Sequence, residues 1–298
     1  MPSFRSSKDK AQHITGKLSA IGKARHGNNK DGRIHSLGTK RGYQQSLSLF
    51  NDFLSQTRQG DIATATKEQA QQYLDIRSGE VRQKTLDMDR QSIQAALGEK
   101  LPVIKSEVET ILTTRSYTDP QLQLVMAAQS ERHAFSTMIA RAAGLRAHEL
   151  LTLMPADKRP ASSHREWRQD RFAGMGHMII WSVVGKGGLR REVALNRELS
   201  AALELRRLER PAVIKDRGII YRQQYDITGG RNWSQSFSSA SKRSLGWSNG
   251  AHGGCRHSYA QERMETLQAK GYSSEEAKKV LSQELGHFRG CVVSFYLR

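Results

Sequence analysis

Cysteine is scarce in this sequence, and long runs of apolar residues are missing. Only Cys255 and Cys291 occur in 298 residues, which excludes a disulfide-stabilised scaffold and indicates a reducing compartment. The most apolar stretch, Met178–Val184, is far shorter than the roughly 18 residues of a membrane span. Residues 1–17 carry positive charge but no apolar segment, so we expect no secretory signal. These absences predict a cytoplasmic protein with no membrane partner.

Acidic residues are few relative to basic ones. The 47 Lys and Arg residues outnumber the 29 Asp and Glu residues, and the formal net charge is +18. Such an excess favours a polyanionic partner, most often nucleic acid and less often an acidic membrane surface. The apolar fraction of 37%, to which glycine adds, is ordinary for a globular protein and excludes wholesale disorder.

The hydrophobic pattern divides the chain into four regions. Residues 1–38 form a basic N-terminal arm, either a solvated tail or a segment that lies on phosphates. Residues 39–98 carry apolar side chains at helical spacing and predict a small helical domain. Residues 99–117 lack a clear period and predict a linker with one short helix near 107–112. Residues 118–298 predict a second, larger domain.

The second domain combines helices with a short β-rich section. Residues 177–184 and 191–195 resemble strands joined by a glycine-rich turn, after a polar loop at 157–176 that is either solvated or in contact with phosphate. Helical patterns cover residues 118–154, 197–210, 234–245, 255–269 and 273–285. The predicted fold class is mainly α with a small antiparallel β-sheet.

Five short segments of this domain carry chemically active side chains. Arg146 follows a glycine turn, and Lys186 lies at the tip of the predicted hairpin. Arg256 belongs to the segment His-Gly-Gly-Cys-Arg, His287 ends the tripeptide Leu-Gly-His, and Tyr296 comes nine residues later. Each segment alone is common by chance, but the five in this order are specific.

This order resembles the tyrosine recombinase (phage integrase) family, whose catalytic domain has an Arg, a hairpin Lys, His-x-x-Arg, Leu-Gly-His and a Tyr. The motifs cover residues 118–298, and residues 39–98 are similar only in general character to the family's helical DNA core-binding domain. The resemblance gives Arg146 and Arg256 the arginine roles, Lys186 the lysine role, His252 and His287 the histidine roles, and Tyr296 the nucleophile role, with Glu149 as a supporting carboxylate.

Two features depart from the family's pattern. The family places its first histidine three residues before the second arginine, where this sequence has Gly253, whereas His252 lies four residues before Arg256. A one-residue bulge at the glycine pair would restore His252; otherwise another residue fills that role. The sequence also ends two residues after Tyr296, where many relatives continue into a tail that docks on a neighbouring subunit. We expect that contact to be absent or made by another element.

These residue types suit the cleavage of a phosphodiester, whose anionic oxygens make it a poor electrophile. Two guanidiniums can hold the non-bridging oxygens and neutralise the charge of the transition state. A tyrosine phenol can attack and leave reversibly, which stores the bond energy as a phosphotyrosine. A hairpin lysine can protonate the departing 5′ oxygen, and histidines can orient oxygens or shuttle the phenol proton. The chemistry requires no metal and no cofactor.

The resemblance implies a site-specific recombinase or integrase of a mobile element that cuts and rejoins double-stranded DNA through a 3′-phosphotyrosyl intermediate. It also implies a homotetramer on DNA and the help of accessory DNA-bending proteins. Two alternatives stay open. One is a type IB topoisomerase-like enzyme that relaxes DNA alone, and the other is a non-catalytic DNA-binding protein with a decayed site.

Each candidate residue also has a purely structural interpretation. Lys186 suits an ordinary turn, His287 a helix end, and His252 and His257 a packed interior. Zinc is a further alternative, but the pairs Cys-x-His and His-x-x-x-Cys lack the usual spacing of zinc ligands, so we expect no metal site.

Overall fold

The computed structural model describes residues 6–21, 32–110 and 113–297. They fall into two units, one within residues 1–111 and the other within residues 112–298. Each unit has its own hydrophobic core. None of the helices in the described ranges is long and apolar enough to cross a bilayer.

The first unit is helical. Its helices are α1 (Ser7–Lys17), α2 (Leu37–Gln56), α3 (Lys67–Ser78) and α4 (Gln83–Leu97). Their apolar stripes meet in one core that includes Leu47, Phe50, Leu74 and Ile93. The N-terminus of α3 is fixed by a capping box, in which the Thr66 amide donates to Gln69 Oε1 and the Gln69 amide donates to Thr66 Oγ1.

Helix α1 lies inside the segment that the sequence predicted as a basic arm. Ala11 is buried in the core of the first unit, and the Ser6 side chain caps the helix by accepting from the Asp9 amide. Apolar periodicity does not predict this helix, because Ala11 and Ile14 are its residues that pack in the hydrophobic core. Residues 1–5 and 22–31 of the predicted arm lie outside the described residues.

The predicted linker is divided between the two units. Leu101 is buried in the first core, the Ser106 amide donates to Gln83 Oε1 (2.8 Å), and the Glu107 amide donates to the Ser78 carbonyl (2.9 Å). At the other end, the Tyr117 amide donates to Ser258 Oγ (2.9 Å) in the second unit. The described part of the predicted short helix, residues 107–110, is not helical. The chain bends at residues 107–108 instead, next to the bonds that join Ser106 to α4 and Glu107 to α3.

The second unit begins with two helices and a short three-stranded sheet. Helices α5 (Asp119–Ala127) and α6 (Glu131–Ala142) precede strands β1 (Met154–Pro155), β2 (Met178–Val184) and β3 (Arg190–Asn196). The strands are antiparallel in the order β1-β2-β3, with Trp181 of β2 opposite Val193 of β3. Thr118 caps α5 and forms a capping box with Gln121.

A second hairpin, four α-helices and two shorter helical turns follow in the described part of this unit. After α7 (Arg197–Glu204) come β4 (Arg207–Asp216), β5 (Ile219–Tyr225), α8 (Gly230–Leu245), a π-helical turn (His252–His257), α9 (Ser258–Ala269), α10 (Ser274–Glu284) and a 3₁₀ turn (Gly290–Phe295). The predicted helix over 197–210 is wrong beyond Leu205, because Pro211 and the β-branched Val213 and Ile214 favour a strand. The predicted fold class is confirmed, and the described residues form two small antiparallel sheets rather than one.

We expect limited proteolysis of the DNA-free protein by a non-specific protease to cut first between Val108 and Arg115. The side chains of Glu109, Thr110, Thr113 and Thr114 are exposed there, so the chain is accessible to the enzyme. N-terminal sequencing and mass spectrometry of the fragments locate the cut. A first cut inside residues 39–98 would contradict this division of the chain.

Candidate active site

Four of the predicted site residues form one cluster in the second unit: Arg146, Arg256, His287 and Tyr296. Tyr296 Oη lies 3.3 Å from Arg256 Nε and 3.2 Å from His287 Nε2. His287 Nε2 is in turn 3.1 Å from Arg146 Nη2. These residues come from four separate segments of the chain, so the fold itself gathers them.

The hydrogen bonds define the state of the central imidazole. A guanidinium only donates, so His287 Nε2 must accept from Arg146, and its lone pair also faces the phenol oxygen of Tyr296. Partial burial, together with the charges of Arg256 and Arg146, lowers the pKa of His287 to about 3. The imidazole is therefore neutral at physiological pH, and its Nε2 lies within hydrogen-bond distance of the phenol oxygen.

Arg146 is held in place by a buried carboxylate. The Arg146 amide donates to Glu149 Oε2 (2.7 Å), and its Nη1 donates to Glu149 Oε1 (2.9 Å). The turn that precedes it needs Gly144, whose φ is +57° and whose Cβ would lie 2.6 Å from the Tyr259 ring. The glycine turn predicted beside Arg146 thus exists and has a steric reason.

Glu149 also binds a third arginine that the sequence analysis did not select. Arg191 of β3 is buried and donates through Nη2 to Glu149 Oε2 (2.7 Å). Burial alone would raise the pKa of the Glu149 carboxyl, but the guanidiniums of Arg191, Arg146 and Arg256 outweigh it and hold that pKa well below its ordinary value. One signal was available in the sequence, because Arg191 shares the inward face of β3 with Val193 and Leu195.

Arg256 is completely buried and is fixed by the backbone. Its Nη1 donates to the Gly144 carbonyl (2.7 Å), and its Nη2 donates to the Leu285 carbonyl. Burial and the nearby charge of Arg146 lower the pKa of Arg256 to about 10, so the guanidinium stays charged at neutral pH. The Nε–H donates to Tyr296 Oη.

The glycine pair before Arg256 forms a π-helical turn that continues into α9. A π-helical turn accommodates one more residue than an α-helical turn, and it brings the His252 ring to 5.7 Å from the Tyr296 ring. A Cβ at Gly254 would lie 2.3 Å from Phe237 Cζ, so the turn depends on glycine there. Partial burial and the charges of Arg256 and His257 lower the pKa of His252 to about 3.

Lys186 is the predicted site residue that the structure does not bring into the cluster. It is exposed at the tip of the β2–β3 hairpin, in a short 3₁₀ turn over Lys186–Gly188. The root of the hairpin is nevertheless close to the site, since a Cβ on Gly185 would lie 3.2 Å from Glu149 Oε1. The hairpin therefore starts beside the cluster, and Lys186 is exposed at its tip.

A second tyrosine near the cluster, Tyr259, is hydrogen-bonded to a buried ion pair and has a structural role. Tyr259 donates through Oη to Glu284 Oε2 (2.9 Å), and Arg263 binds both oxygens of the same buried carboxylate. Burial and the Glu284 charge raise the pKa of Tyr259 well above its ordinary value, which makes it a poor nucleophile.

Cys255 is buried and Cys291 is exposed. In the described ranges, no three His, Cys, Asp or Glu side chains converge as metal ligands would.

No family model matches the sequence, and no curated protein matches it. Solved structures do resemble the chain. One is the XerH site-specific recombinase bound to palindromic difH substrate in a post-cleavage complex, with a TM-score of 0.60, 14% identity, and coverage of 98% of this chain and 92% of that one.

Two further solved structures are similar to this chain over nearly its whole length. The Tn1549 transposon integrase in complex with transposon right end DNA has a TM-score of 0.52 and 15% identity, and the match covers 97% of this chain and 94% of that one. A lambda integrase tetramer bound to a Holliday junction has a TM-score of 0.55 and 14% identity, and the match covers 96% and 76%. At this identity the likeness shows that the chain shares the fold of these tyrosine recombinases.

The low pKa of His287 predicts a pH dependence of stability. The ordinary pKa is 6.5, so between pH 6.5 and 3 the unfolded chain binds more protons at this residue than the folded protein does. The free energy of unfolding therefore falls as the pH drops through this window. We expect His287→Gln to remove about 1 kcal/mol of that fall, allowing for the exposed part of the ring, as measured by urea unfolding at pH 6.5 and 4.5. If the free energy of unfolding fell equally in wild type and in His287→Gln between these two pH values, the prediction would be wrong.

Proposed function

We propose that this protein is a site-specific DNA recombinase that cuts and rejoins strands of double-stranded DNA through a covalent 3′-phosphotyrosyl intermediate. One observation carries the proposal: the phenol oxygen of Tyr296 lies between the guanidinium of buried Arg256 and the neutral imidazole of His287. A phenol held between a cation and a proton acceptor is suited to attack an anionic phosphate.

The electrostatics of the cluster favour a bound phosphodiester. Arg146, Arg191 and Arg256 surround the single carboxylate of Glu149, and His252 and His287 are neutral, so the cluster has a net positive charge. Arg146 and Arg256 hold the two non-bridging oxygens and stabilise the charge of the transition state. His252, beside the Tyr296 ring, orients one of these oxygens.

The strand-cleavage step uses three groups of this chain. The Tyr296 oxygen forms a bond to the scissile phosphorus while its proton passes to His287 Nε2. The bond from phosphorus to the 5′ oxygen breaks, and Lys186 supplies the proton that this oxygen needs as it leaves. Rejoining is the reverse reaction, in which a 5′-hydroxyl attacks the phosphotyrosine and Tyr296 recovers its proton. Neither direction consumes a cofactor.

The position of Tyr296 implies that the site opens before it reacts. Only 7% of the Tyr296 surface is exposed, so the segment after His287 must shift before a DNA phosphate can reach the phenol oxygen. Lys186 must approach in the same step, and its place on an exposed hairpin allows this. We propose that binding to DNA and assembly of four protomers on two sites bring about both movements, with accessory DNA-bending proteins where the sites require them.

A type IB topoisomerase-like activity is the second candidate, because the same cluster would perform its chemistry. The two enzymes differ in the sites that they cut: a recombinase forms its adduct at one defined position in a DNA sequence, whereas a relaxing enzyme forms adducts at many. Mapping the adducts on DNA that flanks the gene distinguishes them.

Tyr296→Phe removes one oxygen and retains the packing of the ring. We expect DNA affinity to stay within about threefold, because the phenol is one group among many that would contact DNA. Covalent capture of a nicked suicide substrate should disappear, since no neighbouring group replaces an attacking phenol. Wild-type protein should give a denaturant-resistant adduct that mass spectrometry assigns to the peptide after Gly290.

Tyr259→Phe is the matched control, because Tyr259 is also buried but its hydroxyl is bound to Glu284. It should retain the adduct. An adduct that persists in Tyr296→Phe, or that is lost only in Tyr259→Phe, would refute the assignment of the nucleophile. A wild-type protein that binds DNA but forms no adduct would favour the non-catalytic alternative.

Lys186→Ala should slow cleavage by roughly 10²-fold or more, because the leaving 5′ oxygen loses its proton donor. A substrate with sulfur in place of that oxygen should restore the rate, since a thiolate leaves without protonation. The sulfur substrate should not rescue Tyr296→Phe. The rate of adduct formation in single turnover is the measurement, and an equal defect of Lys186→Ala on both substrates would exclude Lys186 as the acid.

A further inference from the structure

Residues 156–177 connect two strands that are direct neighbours, β1 and β2. The connection is longer than the dozen or so residues of an ordinary loop, and such loops usually have a function of their own. The sequence analysis interpreted it as solvated or in contact with phosphate. In the structure, residues 162–173 pack across β3, α9 and α10, and we call this segment the strap.

The first end of the strap is fixed to the root of the Lys186 hairpin. Ser162 is buried, its amide donates to the Arg190 carbonyl (3.0 Å), and the Arg190 amide donates to Ser162 Oγ (3.0 Å). Arg190 is the first residue of β3 and follows the turn that carries Lys186. The strap is therefore tied to the strand that sets the direction of the hairpin.

The other end of the strap is fixed to α10 and α9. The Arg168 amide donates to Gln283 Oε1 (2.7 Å), and Gln283 Nε2 donates back to the Glu166 carbonyl (3.1 Å). The Phe172 amide donates to Glu284 Oε1 (2.8 Å), although Phe172 has a φ of 65°, which is rare for a side chain of this size. Backbone held in such a conformation indicates that the surroundings enforce it.

Between these anchors the strap clamps one aromatic side chain. The Trp167 ring meets the Phe288 ring edge-on at a centroid distance of 5.0 Å, and the Arg165 guanidinium lies 4.9 Å from the Phe288 ring centroid. Trp167 is itself held by Nε1, which donates to the Ser162 carbonyl (3.0 Å), and by Arg171, whose guanidinium lies 4.7 Å from its ring.

Phe288 is the residue directly after His287 and precedes the 3₁₀ turn that leads to Tyr296. The planar peptide unit that joins His287 to Phe288 holds their Cα atoms at a fixed distance, so a shift of the Phe288 backbone is passed to the His287 backbone and to the start of that turn. Trp167 and Phe288 are half-buried and lie outside the buried core of this unit. Their contact therefore adds to that core rather than forming part of it.

We propose that the strap is a positioning element of the active site, in which Trp167 and Arg165 act on His287 and Tyr296 through Phe288. Through Ser162 it also links this segment to the hairpin of Lys186. The strap can hold Phe288 in place whether or not the protein is an enzyme. The effect of the strap on catalysis rests on the proposed function.

Hydrogen exchange of the DNA-free protein tests the positioning directly. The His287 amide donates to the Ser282 carbonyl, and the Tyr296 amide donates to the Val293 carbonyl, so both are expected to be protected. Trp167→Ala should raise the exchange rate of residues 286–296 at least fivefold and leave the helices of the first unit unchanged. Trp167→Phe, which keeps an aromatic contact, and His164→Ala, an exposed position of the same strap, should behave like wild type. Unchanged exchange in Trp167→Ala would overturn the proposal.

Adduct formation tests the consequence for catalysis. At saturating DNA, Trp167→Ala should form the covalent adduct about 10- to 100-fold more slowly, with DNA affinity within twofold and with recovery in Trp167→Phe. Arg165→Gln removes one side of the clamp only, and it should give a smaller defect if Trp167→Ala proves unstable. Normal rates in both variants would overturn the catalytic part. Absence of an adduct in wild type would instead refute the proposed function, and the exchange result would still decide whether the strap positions Phe288.

Discussion

The buried carboxylate of Glu149 is the constraint on which the rest of the site depends. Three guanidiniums, those of Arg146, Arg191 and Arg256, lie in a small volume that is mostly closed to water, and without an opposite charge they would repel each other strongly. Glu149 binds two of them directly and lowers the energy of the third through space. It also fixes the turn of Arg146, so one side chain sets both the charge balance and the geometry of the cluster.

Much of the fold and of the site could be predicted from the sequence. Strands β2 and β3 and the later helices follow from periodicity and from glycine turns, and the cluster of Arg146, Arg256, His287 and Tyr296 follows from the order of motifs. Periodicity could not give the site alone, because those residues are far apart in the chain. These four residues come together through tertiary packing. The resemblance to a known family was the only basis on which the sequence predicted that they would cluster.

The features that the sequence analysis missed share one cause. Helix α1 has few apolar residues, strand β4 has mostly exposed side chains, and the strap is rich in arginine and polar residues. None has a regular apolar pattern of its own: α1 and the strap are stabilised by contacts with distant parts of their own unit, and β4 by pairing with the adjacent strand β5. Arg191 was missed for a related reason: strand alternation places it on the inward face of β3, but the sequence does not show that this buried charge pairs with Glu149.

The π-helical turn at His252–His257 has a consequence for how such a chain evolves. Insertion of one codon into a regular helix rotates everything on one side of it by about a hundred degrees, which would turn a reactive side chain away from its partners. A turn that absorbs the added residue as a local bulge confines the change to a few peptide units. The number of residues between two functional groups can then drift between lineages while their arrangement in space is inherited.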